Sequence, residues 1–406
     1  MPSYSYVAKS ISGEEKTGSA EAKDLHQLAR ALREQGFILV HAVSEKEKTA
    51  GRKISFSIPF LGSVPLEEKM MFTRNLQVMV ASGLSLPKAL AVLSLQTKSN
   101  KFKKAIDSIK NEVVEGKNFS DSLADHSEIF SELFQNMIRV GEEAGNLEEV
   151  LTVLARQMEK EHELKSKIQS ALMYPAVIIS AMIGIGVLML IMVVPKLAET
   201  FAELEIELPF TTQLVINVGV FLATKWYFGL ALIIAMGIIF LLISKSMAGK
   251  KLIDGFVLRI PIASVLIKKS NSASTIRTLS SLVAAGVPLV RSLEIISNTL
   301  GNVYYKKAII EASEKVKKGG RLSEALEPYG NLYPIVVFQM IKVGEETGET
   351  AKILSKLAEF FEEEVGTAAR NLTSIIEPVL MLVIGVVIGF FAISMVQPMY
   401  SMLDSV

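Results

Sequence analysis

Glu142 and Glu143 stand between two glycines in Met137-Ile138-Arg139-Val140-Gly141-Glu142-Glu143-Ala144-Gly145, and Glu345 and Glu346 stand the same way in Met340-Ile341-Lys342-Val343-Gly344-Glu345-Glu346-Thr347-Gly348. A glycine just past a helical run takes the left-handed conformation that ends a helix, and acids beside it cap or solvate the turn. That reading makes Gly145 and Gly348 helix terminators. The other reading makes Glu142 and Glu345 contact points for a partner or a basic groove. Duplication cannot choose between them, since a copied unit carries structural and functional residues together.

Other chemistry is sparse. No G-x-x-x-x-G-K-[ST] run is present, and Gly116-Lys117-Asn118 and Gly249-Lys250-Lys251 lack both the spacing and the hydroxyl of a phosphate loop. There is no G-x-G-x-x-G. The four histidines, His26, His41, His126 and His162, include no two at ligand spacing and read as surface or boundary residues. With no cysteine, disulfides, thiolate chemistry and Cys-based zinc sites are excluded. Acid pairs inside apolar runs, as intramembrane proteolysis needs, are missing. The expectation is a non-enzymatic protein with no cofactor and no catalytic or metal site. A net charge of +1 gives no reason to expect nucleic-acid binding.

The elements that carry the acidic motif come twice. The offset between the motifs is 344 − 141 = 203, and Arg74 falls on Arg277, Gly83 on Gly286, Leu86 on Leu289, Gly116 on Gly319, Pro175 on Pro378 and Pro195 on Pro398. A constant offset over about 120 residues means one unit used twice, with a period far beyond that of solenoid repeats. The contact candidates are therefore Arg74, Gly83, Gly141, Glu142 and Gly145 with their counterparts Arg277, Gly286, Gly344, Glu345 and Gly348.

Half of the 406 residues are hydrophobic (50%) while 21% are charged, a mixture of charged helical regions and membrane spans. Transmembrane helices are expected at 172–194, 227–244 and 375–396, each near the length that crosses a bilayer. Pro175 sits at the first entrance, where neighbouring groups can satisfy the carbonyl it frees. Glu377-Pro378 opens the third; Glu377 is a functional candidate at the membrane boundary, or an interfacial acid solvated or paired with Arg370. Lys225-Trp226-Tyr227 reads as an interfacial anchor. Ser180-x-x-x-Gly184 and Gly385-x-x-x-Gly389 are small-residue faces suited to span packing. Lys245, Lys250, Lys251, Arg259, Lys268 and Lys269 follow the second span, and Lys160, Lys165 and Lys167 precede the first. The segment 195–226 has Lys196 and Lys225 against Glu199, Glu203, Glu205 and Glu207, and the tail 397–406 has no Lys or Arg. Positive-inside logic puts the N-terminus and both helical domains in the cytoplasm, with 195–226 and 397–406 outside.

Before the first span, residues 64–170 read as a bundle of six helices, near 66–82, 86–97, 100–115, 119–126, 131–144 and 147–170, broken at Ser82-Gly83, Ser99-Asn100, Gly116-Lys117-Asn118 and Gly145-Asn146. A connector, 245–271, leads to the second bundle, 272–373. Residues 1–43 read as a small α/β module: a strand at Tyr4–Ala8, a turn at Ser12-Gly13-Glu14-Glu15, a second strand from Lys16, a helix capped by Asp24 and stopped by Gly36, then a β-rich run. Residues 44–63 are a charged, Pro- and Gly-bearing linker. The start lacks a basic region followed by an apolar run, so no cleavable signal peptide is expected.

Taken in order, the opening Tyr4-x-Tyr6-x-Ala8 with Gly13 and Gly18, Phe72-Thr73-Arg74-Asn75-Leu76, Ala81-Ser82-Gly83-Leu84-Ser85-Leu86, the doubled Gly-Glu-Glu-x-Gly, Tyr174-Pro175, Glu377-Pro378 and Pro398-Met399-Tyr400 give the chain a family likeness. It resembles the inner-membrane platform proteins of type IV pilus and type II secretion machines, the GspF/PilC family. The resemblance implies a multi-pass scaffold in the cytoplasmic (inner) membrane, with two cytoplasmic helical bundles and three spans. It also implies partners: a cytoplasmic hexameric assembly ATPase, pilin or pseudopilin subunits drawn from the membrane into a fibre, other inner-membrane assembly components, membrane lipid, and further copies of itself in a homo-oligomer. A small transporter or channel component is the alternative; it needs polar groups lining the spans, and Ser180 and Ser394 are all that the first and third offer. A membrane receptor has too little outer surface to rank with either.

Overall fold

The computed structural model describes residues 3–10, 15–22, 25–44, 64–203 and 208–403. The turn at 12–14, the Asp24 cap, the linker from 45 to 63, Glu205, Glu207 and the last three residues of the tail lie outside the described residues. The chain divides into two compact units, Met1–Ser63 and Val64–Val406.

In the first unit, β1 (Ser3–Ser10) pairs antiparallel with β2 (Glu15–Glu21) on one side and β3 (Phe37–Ser44) on the other, giving the order β2-β1-β3. Helix α1 (Leu25–Glu34) joins β2 to β3 and buries Leu28 and Leu32, one turn apart, in a small core with Ala8 and Ala22. Gly36, at φ 82°, turns the chain back into β3.

The first bundle comprises α2 (Leu66–Ala81), α3 (Leu86–Gln96), α4 (Asn100–Val114), α5 (Phe119–Ala124), α6 (Glu132–Ala144) and the first half of α7 (Leu147–Met192). Its starts are coded locally. Ser99 and Ser131 accept from the backbone N–H groups of Phe102 and Phe134, and Pro87 occupies the first turn of α3. Phe72, Phe102, Phe130 and Phe134 interlock at its centre, with ring centroids 5.0 to 5.8 Å apart along the series.

The second bundle repeats the plan with α12 (Pro261–Ala284), α13 (Leu289–Thr299), α14 (Val303–Lys317), α15 (Leu322–Leu326), a 3-10 turn at Glu327–Tyr329, α16 (Ile335–Thr347) and α17 (Thr350–Leu403). Its core changes chemistry in concert. Phe72, Phe102 and Phe130 are replaced at the 203-residue offset by Thr275, Tyr305 and Tyr333. The Tyr305 hydroxyl donates to the Leu332 carbonyl at 2.6 Å, and the Thr275 and Tyr333 hydroxyls are 3.2 Å apart. Each of these three hydroxyls has a partner, which is the condition for burying it. Burial raises the pKa of both tyrosines and keeps them neutral.

Both bundles end in a helix far longer than a bundle needs. At about 1.5 Å per residue, the 46 residues of α7 extend roughly 69 Å and the 54 of α17 roughly 81 Å, against a hydrocarbon core of about 30 Å. The charged half of each packs in its bundle; the apolar half is exposed and suited to lipid. Among the described residues, three helices are long and apolar enough to cross a membrane: those within Leu147–Glu203 and Thr350–Gln397, and α10 (Trp226–Lys245). The segment between the first two spans is itself helical, as α8 (Val194–Glu203) and α9 (Phe210–Thr224). Helix α9 lies on both long helices: Thr212 Oγ1 donates to the Ser394 carbonyl at 2.5 Å, and a Cβ at Gly219 would come within 2.8 Å of the Leu190 carbonyl. A short helix, α11 (Met247–Val257), then links α10 to the second bundle.

Candidate partner-docking site and the repeated motif

The Gly-Glu-Glu-x-Gly motif closes α6 and α16. Gly145 and Gly348 adopt φ 68° and 73°, the left-handed region that costs a side-chain-bearing residue energy. In the first copy the Asn146 N–H donates to the Gly141 carbonyl at 2.9 Å and the Gly145 N–H to the Glu142 carbonyl at 3.2 Å, the paired bonds of a Schellman ending. Gly83 and Gly286 likewise hold positive φ at the ends of α2 and α12. Gly141 has a different task. A Cβ there would lie 3.1 Å from the Val150 side chain and 3.2 Å from Leu147 Cα, so its absence lets α6 close onto the start of α7; at Gly344 the corresponding contact is Thr350 Cα at 3.1 Å.

The first acid of each motif points inward. Glu142 accepts from the backbone N–H groups of Phe119, at 2.6 Å, and Ser120, at 2.8 Å. Glu345 repeats this with Leu322 N at 2.7 Å and Ser323 N at 3.4 Å, and also accepts from Ser323 Oγ at 2.5 Å. Each carboxylate thus caps the N-terminus of the short fourth helix of its bundle, satisfying N–H groups that have no partner within the helix. Glu143 and Glu346 remain exposed. The motif is therefore a clasp: its glycine ends one helix and its acid begins another.

Arg74 and Arg277 occupy equivalent places in different surroundings. Arg277 is buried and bonds Glu362 through two parallel contacts, Nε to Oε1 at 2.5 Å and Nη2 to Oε2 at 2.8 Å. Arg74 is exposed and lines an open groove with Gln77, Arg156 and Glu159, the last being the counterpart of Glu362. The difference comes from the joint between the bundles. Gln157 of α7 accepts from Ser281 Oγ at 2.7 Å and donates to Thr278 Oγ1 at 3.4 Å, which covers α12; among the described residues of Val64–Val406 no such bond from the second bundle reaches α2. The joint continues through Glu132, which accepts from Asn298 at 2.8 Å and Arg291 at 3.3 Å, and Asn136, which accepts from Arg291 at 3.2 Å. A polar cleft of about 400 Å³ remains there, with Glu132, Lys160, Glu161, Arg277 and Glu362 among its walls.

At the membrane entrance Pro175 lies inside α7 without breaking it. Proline cannot donate to the carbonyl four residues back, here Ala171. Thr373 Oγ1 of α17 donates to that carbonyl at 3.0 Å, so the second repeat satisfies the group that proline leaves free in the first. Glu377 and Pro378 are exposed at the corresponding level of α17; Arg370 donates to Thr367 Oγ1 at 3.1 Å and has no bond to Glu377 among the described residues. Further along, α7, α9 and α17 enclose an apolar cleft of about 690 Å³ lined by Met182, Ile185, Val215, Val387 and Phe391 among others. Among the described residues no group of three or more His, Asp or Glu is arranged to hold a metal ion.

Sequence reasoning singled out Arg74, Arg277, the glycines and the first acids. It missed Gln157, Glu362 and Thr373, which do the joining. A signal was available for one: Glu159 and Glu362 fall on each other at the offset that relates Arg74 to Arg277.

Comparison with known families follows the same duplication. The model of "Type II secretion system (T2SS), protein F" matches residues 72–195 and again 275–398, and its N-terminal domain matches residues 1–43. The starts differ by 275 − 72 = 203, the offset of the repeat. The chain is 34% identical to a type IV pilus assembly protein PilC of Thermus thermophilus over 100% of this chain and 99% of the relative. It is 34% identical to the protein of that name from Myxococcus xanthus over 99% and 95%, and 31% identical to type II secretion system protein F of Xanthomonas campestris over the full length of both. A duplicated helical bundle carried on membrane helices defines the class. This chain belongs to the type II secretion system protein F family, which includes the type IV pilus PilC proteins.

Proposed function

We propose that the chain is the inner-membrane platform of a type IV pilus or type II secretion machine, coupling a cytoplasmic hexameric ATPase to the insertion of pilin or pseudopilin subunits into a fibre. The observation that carries this reading is the continuity of α7 and α17 from bundle to membrane. A helix without a break transmits a displacement or torque along its length, whereas a hinged connection would absorb it. The names of the relatives place them in pilus and secretion assembly. The sequence carries no phosphate loop of its own, so the energy must come from a separate motor.

In this reading both bundles and the N-terminal unit face the cytoplasm, as the Lys and Arg residues flanking the spans favour. The ATPase meets the bundles; the apolar cleft between α7, α9 and α17 receives the apolar helix of a pilin or a lipid tail. Glu142 and Glu345 serve this role indirectly, by holding the bundle surface in shape. The test is complementation of a deletion strain. Wild-type protein should restore fibres. Interruption of α7 by a flexible Gly-Ser insertion after Lys167 should leave the protein in the membrane but abolish fibres, and normal fibres from that variant would refute rigid coupling.

A further inference from the structure

Helix α10 has 20 residues, which at about 1.5 Å each matches the roughly 30 Å of a bilayer's hydrocarbon core. Lys245, its last residue, therefore stands at the membrane surface. Helix α11 begins two residues later. Ser246 is extended between the two helices, at φ −74° and ψ 139°, and a Cβ at Gly249 would collide with the Ile243 carbonyl. The first turn of α11 is thus folded against the last turn of α10, at the depth where the span ends.

One side of α11 is held by the second bundle. Asp254 accepts from the Val303 N–H at 2.8 Å, the Tyr304 hydroxyl donates to the Lys251 carbonyl at 3.4 Å, and a Cβ at Gly255 would come within 2.8 Å of that hydroxyl. The opposite side carries Leu252 and Phe256, one turn apart, with Ile260 just past the end of the helix. Leu252 is 74% exposed and Phe256 66%, and Met247 at the first turn is 81% exposed. Large apolar side chains gathered bare on one surface mark an interaction face.

The charge around this face has one sign. Lys245, Lys250, Lys251 and Arg259 are all exposed. Asp254 is the only acid between residues 245 and 260, and it is engaged with the start of α14. By helical spacing Lys250 and Lys251 emerge on either side of the row formed by Leu252 and Phe256. An apolar row flanked by cations, held at the depth of a membrane surface, suits a helix that lies in the interface plane: its apolar side chains enter the acyl boundary and its cations meet anionic headgroups. A protein partner would have to displace those headgroups to reach the same face.

We propose that α11 lies in the headgroup layer of the membrane that α10 crosses, with Leu252, Phe256 and Ile260 seated in lipid and Lys250, Lys251 and Arg259 holding anionic headgroups. Because Asp254, Gly255 and Tyr304 tie α11 to the second bundle, the same contact fixes that bundle against the membrane surface. The inference rests on α10 as a span and needs nothing from the assembly role.

The chain has no cysteine, which makes the test direct. Full-length Leu252→Cys and Phe256→Cys chains, each labelled with a small uncharged fluorophore, are placed in nanodiscs of phosphatidylcholine and phosphatidylglycerol. Lipids carrying a nitroxide at the headgroup or deep in the acyl chain serve as quenchers. Two labels calibrate depth: Met236→Cys in the middle of α10, and Lys352→Cys, exposed on α17 about 35 Å before the third span. Headgroup nitroxide should quench the labels at 252 and 256 several-fold more than the label at 352, and deep nitroxide should quench the label at 236 best. A nitroxide on phosphatidylglycerol should quench 252 and 256 at least twofold more than one on phosphatidylcholine. Changing Lys250, Lys251 and Arg259 together to Gln should remove that preference and leave the quenching itself. Labels at 252 and 256 as free of lipid quenching as the label at 352 would overturn the proposal and leave the face to a protein partner. Equal quenching by the two lipids, or a preference that survives the Gln changes, would overturn the anionic assignment. A label at 236 that lipid does not quench would remove the span and the proposal with it.

Discussion

Thr373 donates its hydroxyl to the Ala171 carbonyl, the group that Pro175 deprives of its helical partner. The bond ties the two long helices together where both leave their bundles for the membrane. Thr373→Val keeps the shape and removes the donor, leaving a carbonyl unsatisfied where water is scarce. The expected loss is about 1–3 kcal/mol in the thermal unfolding of the full chain in detergent. Thr373→Ser should retain most of the stability.

The clasp formed by Glu142 and Glu345 gives a paired prediction. Glu142→Ala removes two charge-assisted caps from α5, and Glu345→Ala removes those of α15, at a cost of about 1–2 kcal/mol each. Hydrogen exchange should rise first at residues 119–124 in one variant and 322–326 in the other. Exchange unchanged in those helices would show that the carboxylates do not hold them.

At Gly141 an added methyl must displace Val150 or the α7 backbone. Gly141→Ala should therefore cost about 1–3 kcal/mol through overpacking, and Gly344→Ala a comparable amount. Melting temperature against the wild-type chain checks both.

One substitution at two equivalent positions should have unequal effects. Arg277→Met strands the buried Glu362 carboxylate, at a cost of about 3–5 kcal/mol. Arg74→Met, on the open groove, should change the stability of the chain by no more than about 0.5 kcal/mol. Equal effects would contradict the asymmetric joint.

Tyr329 and Glu311 predict a pH signature. Burial, helped by the bond it donates to Glu311, pushes the Tyr329 hydroxyl up to about 12 from an ordinary 10.0. That same bond lowers the Glu311 carboxyl below its ordinary 4.5. For Tyr329 the unfolded chain releases its proton first, so stability falls as pH rises from about 10 to about 12. For Glu311 the contribution is present above the ordinary value and is lost as pH falls through the lowered one. Tyr329→Phe should flatten both limbs of a melting-temperature profile.

The repeat, the bundle helices and their glycine endings were legible because they are local: capping serines, first-turn prolines and left-handed glycines act within a few residues. All six helix starts of the first bundle fall within a residue of their expected places. The joint was not legible. Arg277 is buried with Glu362, 85 residues on, beside the joint that Gln157 makes with α12, and no local pattern announces either. Helix α9 was not read from the sequence either: its 15 residues are too few to span a bilayer, and it packs on α7 and α17.

The central claim is that this chain links a cytoplasmic motor to the membrane. The most direct measurement is ATP turnover by the hexameric assembly ATPase of the same organism, alone and with the full-length protein in lipid nanodiscs. The account predicts a complex whose turnover differs from that of the ATPase alone, and a loss of that difference when a flexible insertion follows Lys167. An ATPase that neither binds the reconstituted chain nor changes its turnover would contradict it.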